Sequence, residues 1–230
     1  SLNASTPTFS KGRLYIVNLE PGHVLSLNAR NGRKIWEKPL PCRSESSPVV
    51  VHNRVYFGCE NGVLYALKAR NGKEVWETSV AGAIKGAPAY QDGTLFVGDY
   101  GGVVSAVKAK TGEIKWQSDS LGGSFGRAGS FYSTPAVAYG RVYLGSNDGR
   151  VYSFDKNTGE VAWTYSTGDW VYSGPSVAQV PGTPPTVYIG SFDGNAYALD
   201  AKTGEPRWTF AMGGQVIGSL SVIGRTVYAA

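Results

Sequence analysis

Four short turns of this 230-residue chain, GCENG (58–62), GDYGG (98–102), GSNDG (145–149) and GSFDG (190–194), set Glu60, Asp99, Asp148 and Asp193 close to glycines. Carboxylates that converge on one point can hold Ca2+ or act as an acid and base pair. An Asp ahead of a Gly is also ordinary turn chemistry, because its side chain binds nearby backbone N–H groups, and that role is the expected one. Two longer loops carry a second set of residues. SDSLGGSFGRAGSFYST (118–134) holds Phe125, Arg127, Phe131 and Tyr132, and STGDWVYSG (166–174) holds Asp169, Trp170 and Tyr172. Binding residues collect in loops that are longer than the scaffold needs. Phe131, Tyr132 and Trp170 would form a stacking platform for a planar ring or a sugar, unless Trp170 merely caps the strands beneath it. Lys85 and Arg127 are the cations to expect beside such a ligand.

Other chemistries find little footing. His23 and His52 stand apart, without metal-ligand spacing or the partners of a nucleophilic triad. No glycine-rich phosphate loop leads into a helix, and no helical period is visible. Lys and Arg number 22 against 17 Asp and Glu, a net +5, but the basic segments are interleaved with Glu37, Glu74, Glu113, Asp155, Glu160, Asp200 and Glu205. That pattern predicts a solvated rim of mixed sign and no nucleic-acid partner. No apolar run reaches the roughly 18 to 20 residues needed to span a bilayer.

The elements that must position these loops are announced by a repeat. NARNGRKIW (28–36), KARNGKEVW (68–76), KAKTGEIKW (108–116), DKNTGEVAW (155–163) and DAKTGEPRW (200–208) each end on a Trp four residues after a Gly. The pairs are Gly32 and Trp36, Gly72 and Trp76, Gly112 and Trp116, Gly159 and Trp163, and Gly204 and Trp208, with periods of 40, 40, 47 and 45 residues. A second marker, an aromatic within a short apolar run, occurs at Tyr15, Tyr56, Phe96, Tyr143, Tyr188 and Tyr228. Between the markers each period reads as four strands, which is the signature of a β-propeller blade. The predicted blades span roughly 6–41, 46–81, 86–120, 133–167 and 173–212, with half a sixth at 218–230. The Gly supplies the positive φ of a tight turn before the outer strand, and the Trp glues one blade to the next.

The motif resembles the PQQ-like β-propeller repeat, whose pattern is Ala-x-Asp-x-x-Thr-Gly-x-x-x-Trp. The fifth repeat matches in full through Ala198, Asp200, Thr203, Gly204 and Trp208, and the fourth has Ser153 in place of Ala. The first three depart at the Asp position, which holds Asn28, Lys68 and Lys108. The resemblance implies an all-β, single-domain propeller of seven or eight blades, of which this chain would be a C-terminally truncated part. It also implies an exported, extracytoplasmic protein. Its functions range from quinone-dependent dehydrogenases to the outer-membrane assembly lipoprotein. The dehydrogenases commonly hold PQQ against two adjacent disulfide-bonded cysteines, with a Trp floor, Ca2+ and a catalytic Asp. Cys42 and Cys59 are not adjacent; both lie at one end of the second blade, which allows a disulfide without requiring one. The expected function is therefore non-catalytic, a scaffold that binds a protein or peptide through its mouth loops. The alternatives are a sugar- or small-ligand-binding propeller and a PQQ- and calcium-dependent alcohol or sugar dehydrogenase.

Overall fold

The computed structural model describes residues 5–19, 22–122 and 129–229, and every regular element among them is a β-strand. The first blade comprises β1 (Thr8–Ser10), β2 (Arg13–Asn18), β3 (His23–Asn28) and β4 (Lys34–Pro39), paired antiparallel in that order. The second comprises β5 (Val49–Val51), β6 (Arg54–Gly58), β7 (Val63–Lys68) and β8 (Glu74–Ser79), and the third β9 (Ala89–Gln91), β10 (Thr94–Gly98), β11 (Val103–Lys108) and β12 (Ile114–Asp119). The fourth comprises β13 (Ala136–Ala138), β14 (Arg141–Gly145), β15 (Arg150–Asp155) and β16 (Val161–Ser166). The fifth comprises β17 (Ser176–Ala178), β18 (Thr186–Gly190), β19 (Asn195–Asp200) and β20 (Pro206–Ala211), and β21 (Ser221–Ile223) pairs with β22 (Thr226–Tyr228) alone. Neighbouring first strands pack together, β1 on β5 and so on through to β21, so these short strands line the central axis.

The repeat motif works as its residue types require. Each outer-strand Trp stands opposite the small residue of the third strand, Trp36 across from Ser26, Trp76 from Ala66, Trp116 from Ala106, Trp163 from Ser153 and Trp208 from Ala198. A register shift directly after that small residue turns the strand end towards the tight turn. Four of the indoles then reach the following blade. Trp36, Trp76, Trp116 and Trp163 donate Nε1–H to the carbonyls of Ala69, Ala109, Lys156 and Ala201 at 2.9–3.1 Å. Tyr15, Tyr56 and Tyr143 donate to three of the same carbonyls, so an indole and a phenol converge on one acceptor between blades. The core is accordingly divided into clusters between adjacent sheets, where second- and third-strand side chains interdigitate. Trp208 is the exception, at 40% exposed against 9% for Trp76, Trp116 and Trp163.

Candidate functional site: a ring at the mouth of the channel

The loops that lead from an outer strand to the next inner strand meet at one end of the axis. Four residues ahead of β5, β9, β13, β17 and β21 stand Glu45, Lys85, Tyr132, Tyr172 and Ile217. All five line a shallow cavity of about 210 Å3 at that mouth. The repeat thus offers the same position once per blade, and the chain fills it with an acid, a base, two tyrosines and an isoleucine.

Lys85 is the hub of the polar half. Its Nζ donates to Glu45 Oε1 at 2.8 Å and to Glu60 Oε1 at 3.0 Å, and it lies 5.6 Å from the centre of the Tyr100 ring. Burial alone would favour the neutral amine, but the bonds to Glu45 and then Glu60 outweigh it and hold the Lys85 pKa above the ordinary lysine range. Burial would likewise raise Glu45, and the Lys85 hydrogen bond reverses this and holds the carboxyl below the usual carboxylate range. Tyr132 Oη lies 3.3 Å from Glu45 Oε2 and donates to it. The Tyr100 hydroxyl is pushed up to about 12, first by burial and then by the neighbouring Tyr172.

The other half is aromatic. Tyr132 meets Tyr172 edge to face at 5.0 Å, and Tyr172 meets Phe192 at 5.0 Å and Trp170 at 5.5 Å. Tyr100 joins the row at 6.0 Å from Tyr132. A continuous strip of rings therefore leads from the Lys85 cluster across the third, fourth and fifth blades.

The family profile described as outer membrane protein assembly factor BamB matches residues 1–87, 81–178 and 167–230, the whole chain. The chain belongs to this family of PQQ-like propellers. No curated protein is similar to it in sequence at a significant level. Among solved structures, BamB from Moraxella catarrhalis is 23% identical with a TM-score of 0.77, over 97% of this chain and 65% of that one. Quinohemoprotein alcohol dehydrogenase from Comamonas testosteroni is 21% identical with a TM-score of 0.77, over 90% of this chain and 42% of that one. The computationally designed Ika8 protein, 16% identical, reaches 0.76 over 98% of this chain and 67% of its own. At these identities the likeness is one of fold, and function must be argued from the site.

Within this PQQ-like propeller the residues expected from the sequence fall into three groups. Lys85, Tyr132 and Tyr172 come together in the ring, with Trp170 against it. Phe131 does not join them: it is 0% exposed, pairs with Ser146 and packs against Tyr152 and Phe154. A Cβ added at Gly98 would lie 2.5 Å from Phe131, so the glycine makes room for that ring, which is a wedge between blades and no platform for a ligand. Asp169 accepts the N–H of Trp170 at 2.8 Å, while its carbonyl accepts from Thr167 and Ser191. It shapes its loop instead of joining the ring. Arg127 and Phe125 lie outside the described residues.

The turn carboxylates do not converge. Asp99 occupies the first place of its turn and is fully buried, and burial raises its pKa against the pull of backbone N–H groups from Val103, Gly82, Gly101 and Ala81. Glu60 is at the second place, facing the mouth, where the other blades put Tyr100, Asn147 and Phe192. Asp148 and Asp193 are at the third, each accepting from the tyrosine four residues on, Tyr152 and Tyr197, and from the backbone N–H two residues on, that of Arg150 and Asn195. Three registers give three directions, and among the described residues no group of acidic, histidine or cysteine side chains is arranged to hold a metal ion. Cys42 and Cys59 form a disulfide with their Cα atoms 6.1 Å apart, and beside it Glu60 N–H donates to the Arg43 carbonyl at 2.9 Å. The bridge thereby fixes the turn that presents Glu60 to Lys85. Sequence reasoning passed over Glu45 and Ile217 as site residues; counting four places back from each inner strand would have found both.

Proposed function

We propose that this chain is a binding module that holds an extended peptide segment of a protein partner across its mouth. The observation that carries the reading is the strip from Tyr100 through Tyr132 and Tyr172 to Phe192 and Trp170, bounded by the Lys85 cluster. Tyrosine and tryptophan present large, stiff contact area with little entropy to lose, and they dominate the binding energy of protein interfaces. The charged end is already paired within itself, so it can border an apolar contact without leaving a lone buried charge. The family's description as an outer membrane assembly factor supports a protein partner in the cell envelope. The Cys42–Cys59 disulfide supports an oxidising, extracytoplasmic compartment.

The mouth residues fit a quinone and calcium poorly. Glu45 and Glu60, the carboxylates that reach the ring, are both bound to the Lys85 ammonium, which stands where a cation would have to be. At about 210 Å3 the cavity is also smaller than the ~300 to 1,000 Å3 typical of small-molecule sites. It suits one or two side chains of a peptide. A sugar platform on Trp170 is less favoured, because its ring already packs against Tyr172 and Phe192.

Selection of a displayed random-peptide library on the purified chain tests the reading, with the selected peptides titrated against the wild type and against Tyr132→Ala and Tyr172→Ala. Each variant should weaken binding by about tenfold or more, the loss of one aromatic anchor. Peptides that bind all three proteins alike would overturn it.

A further inference from the structure

On the opposite face, between the first two blades, a cavity of about 590 Å3 is lined by Lys11, Arg13, His52, Arg54, Lys68 and Arg70, and among the described residues by no acidic one. Even mixing of charge, expected from the sequence, fails here. Among the described residues no carboxylate forms an ion pair with any of these five lysines and arginines. The molecule supplies its own comparison. The corresponding cavity between the fourth and fifth blades, about 560 Å3, contains Arg141 with both Asp155 and Asp200. There Arg141 stands directly across from Asp155, and the two lie 3.4 Å apart as an ion pair. In the second blade the same register sets Arg54 across from Lys68. Like charges facing each other on paired strands oppose folding, so this exchange of Asp for Lys works against the scaffold.

Two of the guanidiniums are held in place. Arg13 Nη1 donates across this cleft to the carbonyls of Ala69 and Arg70 at 3.2 and 3.0 Å, whereas Arg54 Nη1 donates to those of Ala109 and Lys110 of the third blade at 2.8 and 2.7 Å, and Arg54 also lines the next cavity, between the second and third blades. The Arg13 bonds occupy one nitrogen of its group and leave the other donors of the fork for a ligand in the cleft. From the geometry we infer that this cleft binds a small phosphate-bearing ligand of diphosphate size or larger. The fixed Arg13 guanidinium matches phosphate oxygens in pairs, Lys11, Lys68 and Arg70 add charge around it, and the volume lies within the range of small-molecule sites. Bound phosphate would also replace the counter-charge that Asp155 and Asp200 provide in the equivalent cavity.

The test is calorimetric titration of the chain with pyrophosphate, alongside sedimentation with phosphatidylglycerol vesicles and with phosphatidylcholine vesicles. Pyrophosphate binding supports a soluble ligand, and binding only to phosphatidylglycerol vesicles supports a lipid headgroup. Lys68→Asp installs the residue that the fourth and fifth repeats carry at this place, so the fold accommodates it. It should weaken binding about tenfold or more and raise the thermal midpoint by turning a repulsion into an ion pair. Lys202→Asp, the same change of charge at the equivalent cavity, should leave binding within about twofold. Failure of the wild type to bind either pyrophosphate or anionic vesicles, or an equal loss in both variants, would overturn the proposal.

Discussion

The indole of Trp76 lies on Gly112, the tight-turn glycine of the following blade, closely enough that a Cβ added there would fall 2.8 Å from the ring. Gly32 occupies the equivalent turn of the first blade at a similar positive φ, 71° against 79°, yet a Cβ at Gly32 would meet nothing within 4 Å. The pair separates backbone strain from packing. Gly32→Ala should cost about 1 kcal/mol from the left-handed φ alone. Gly112→Ala should cost that plus the displacement of Trp76 and of the Thr78 hydroxyl, which the Cβ would meet at 2.7 Å, about 1 to 3 kcal/mol more. Urea unfolding of the two variants measures the difference, and equal costs would mean that the contacts with Trp76 and Thr78 add nothing.

The indoles should not be energetically alike. Trp76→Ala removes a buried ring and its bond to Ala109, and is expected to cost about 3 to 5 kcal/mol. Trp208, far more exposed, should cost about half of that or less when changed to Ala. Denaturant midpoints at a constant slope decide it.

The disulfide closes a loop of 17 residues between the mouth loop and the Glu60 turn. Cys42→Ser with Cys59→Ser should therefore lower stability by about 3 kcal/mol. It should also loosen Glu60 from Lys85, which hydrogen exchange of the Glu60 amide would register as lost protection.

The mouth ion network sets a pH dependence. Lowered in the folded state, the Glu45 pKa gives stability that is present above the unfolded value of about 4.3 and lost as pH falls through the folded one. Lys85, raised, contributes below its unfolded value of about 10.4 and loses that contribution as pH rises through the folded one. Lys85→Met should lower the thermal midpoint at neutral pH, where it leaves two carboxylates facing each other, and the deficit should shrink below about pH 4. A deficit that stays constant with pH would show that the lysine acts by packing alone.

The scaffold was legible in the sequence because its parts recur: Gly then Trp, with a small residue opposite, is a local rule that five repeats state independently. The site was only partly legible because it depends on direction. Phe131 and Tyr132 are neighbours in one aromatic loop, yet one faces the core and the other the mouth, and composition does not tell which. The same one-residue sensitivity separates Glu60 from Asp99, which read alike beside their glycines and point to different places. Glu45 is one acid in a short polar loop of the sequence, and only its place in the ring, against Lys85 and Tyr132, shows its part. The basic cleft is not legible in the sequence because Lys68 meets Arg54 only through strand pairing and Arg13 comes from the neighbouring blade.

The claim of a peptide-binding mouth is tested most directly by mapping backbone amide shifts of the labelled chain as a selected peptide is added. The account predicts that the largest changes fall on Glu45, Lys85, Tyr132, Tyr172 and Ile217 and on the turn tips at Glu60, Tyr100 and Phe192. Changes confined to the outer strands or to the opposite face, with those amides unmoved, would contradict it.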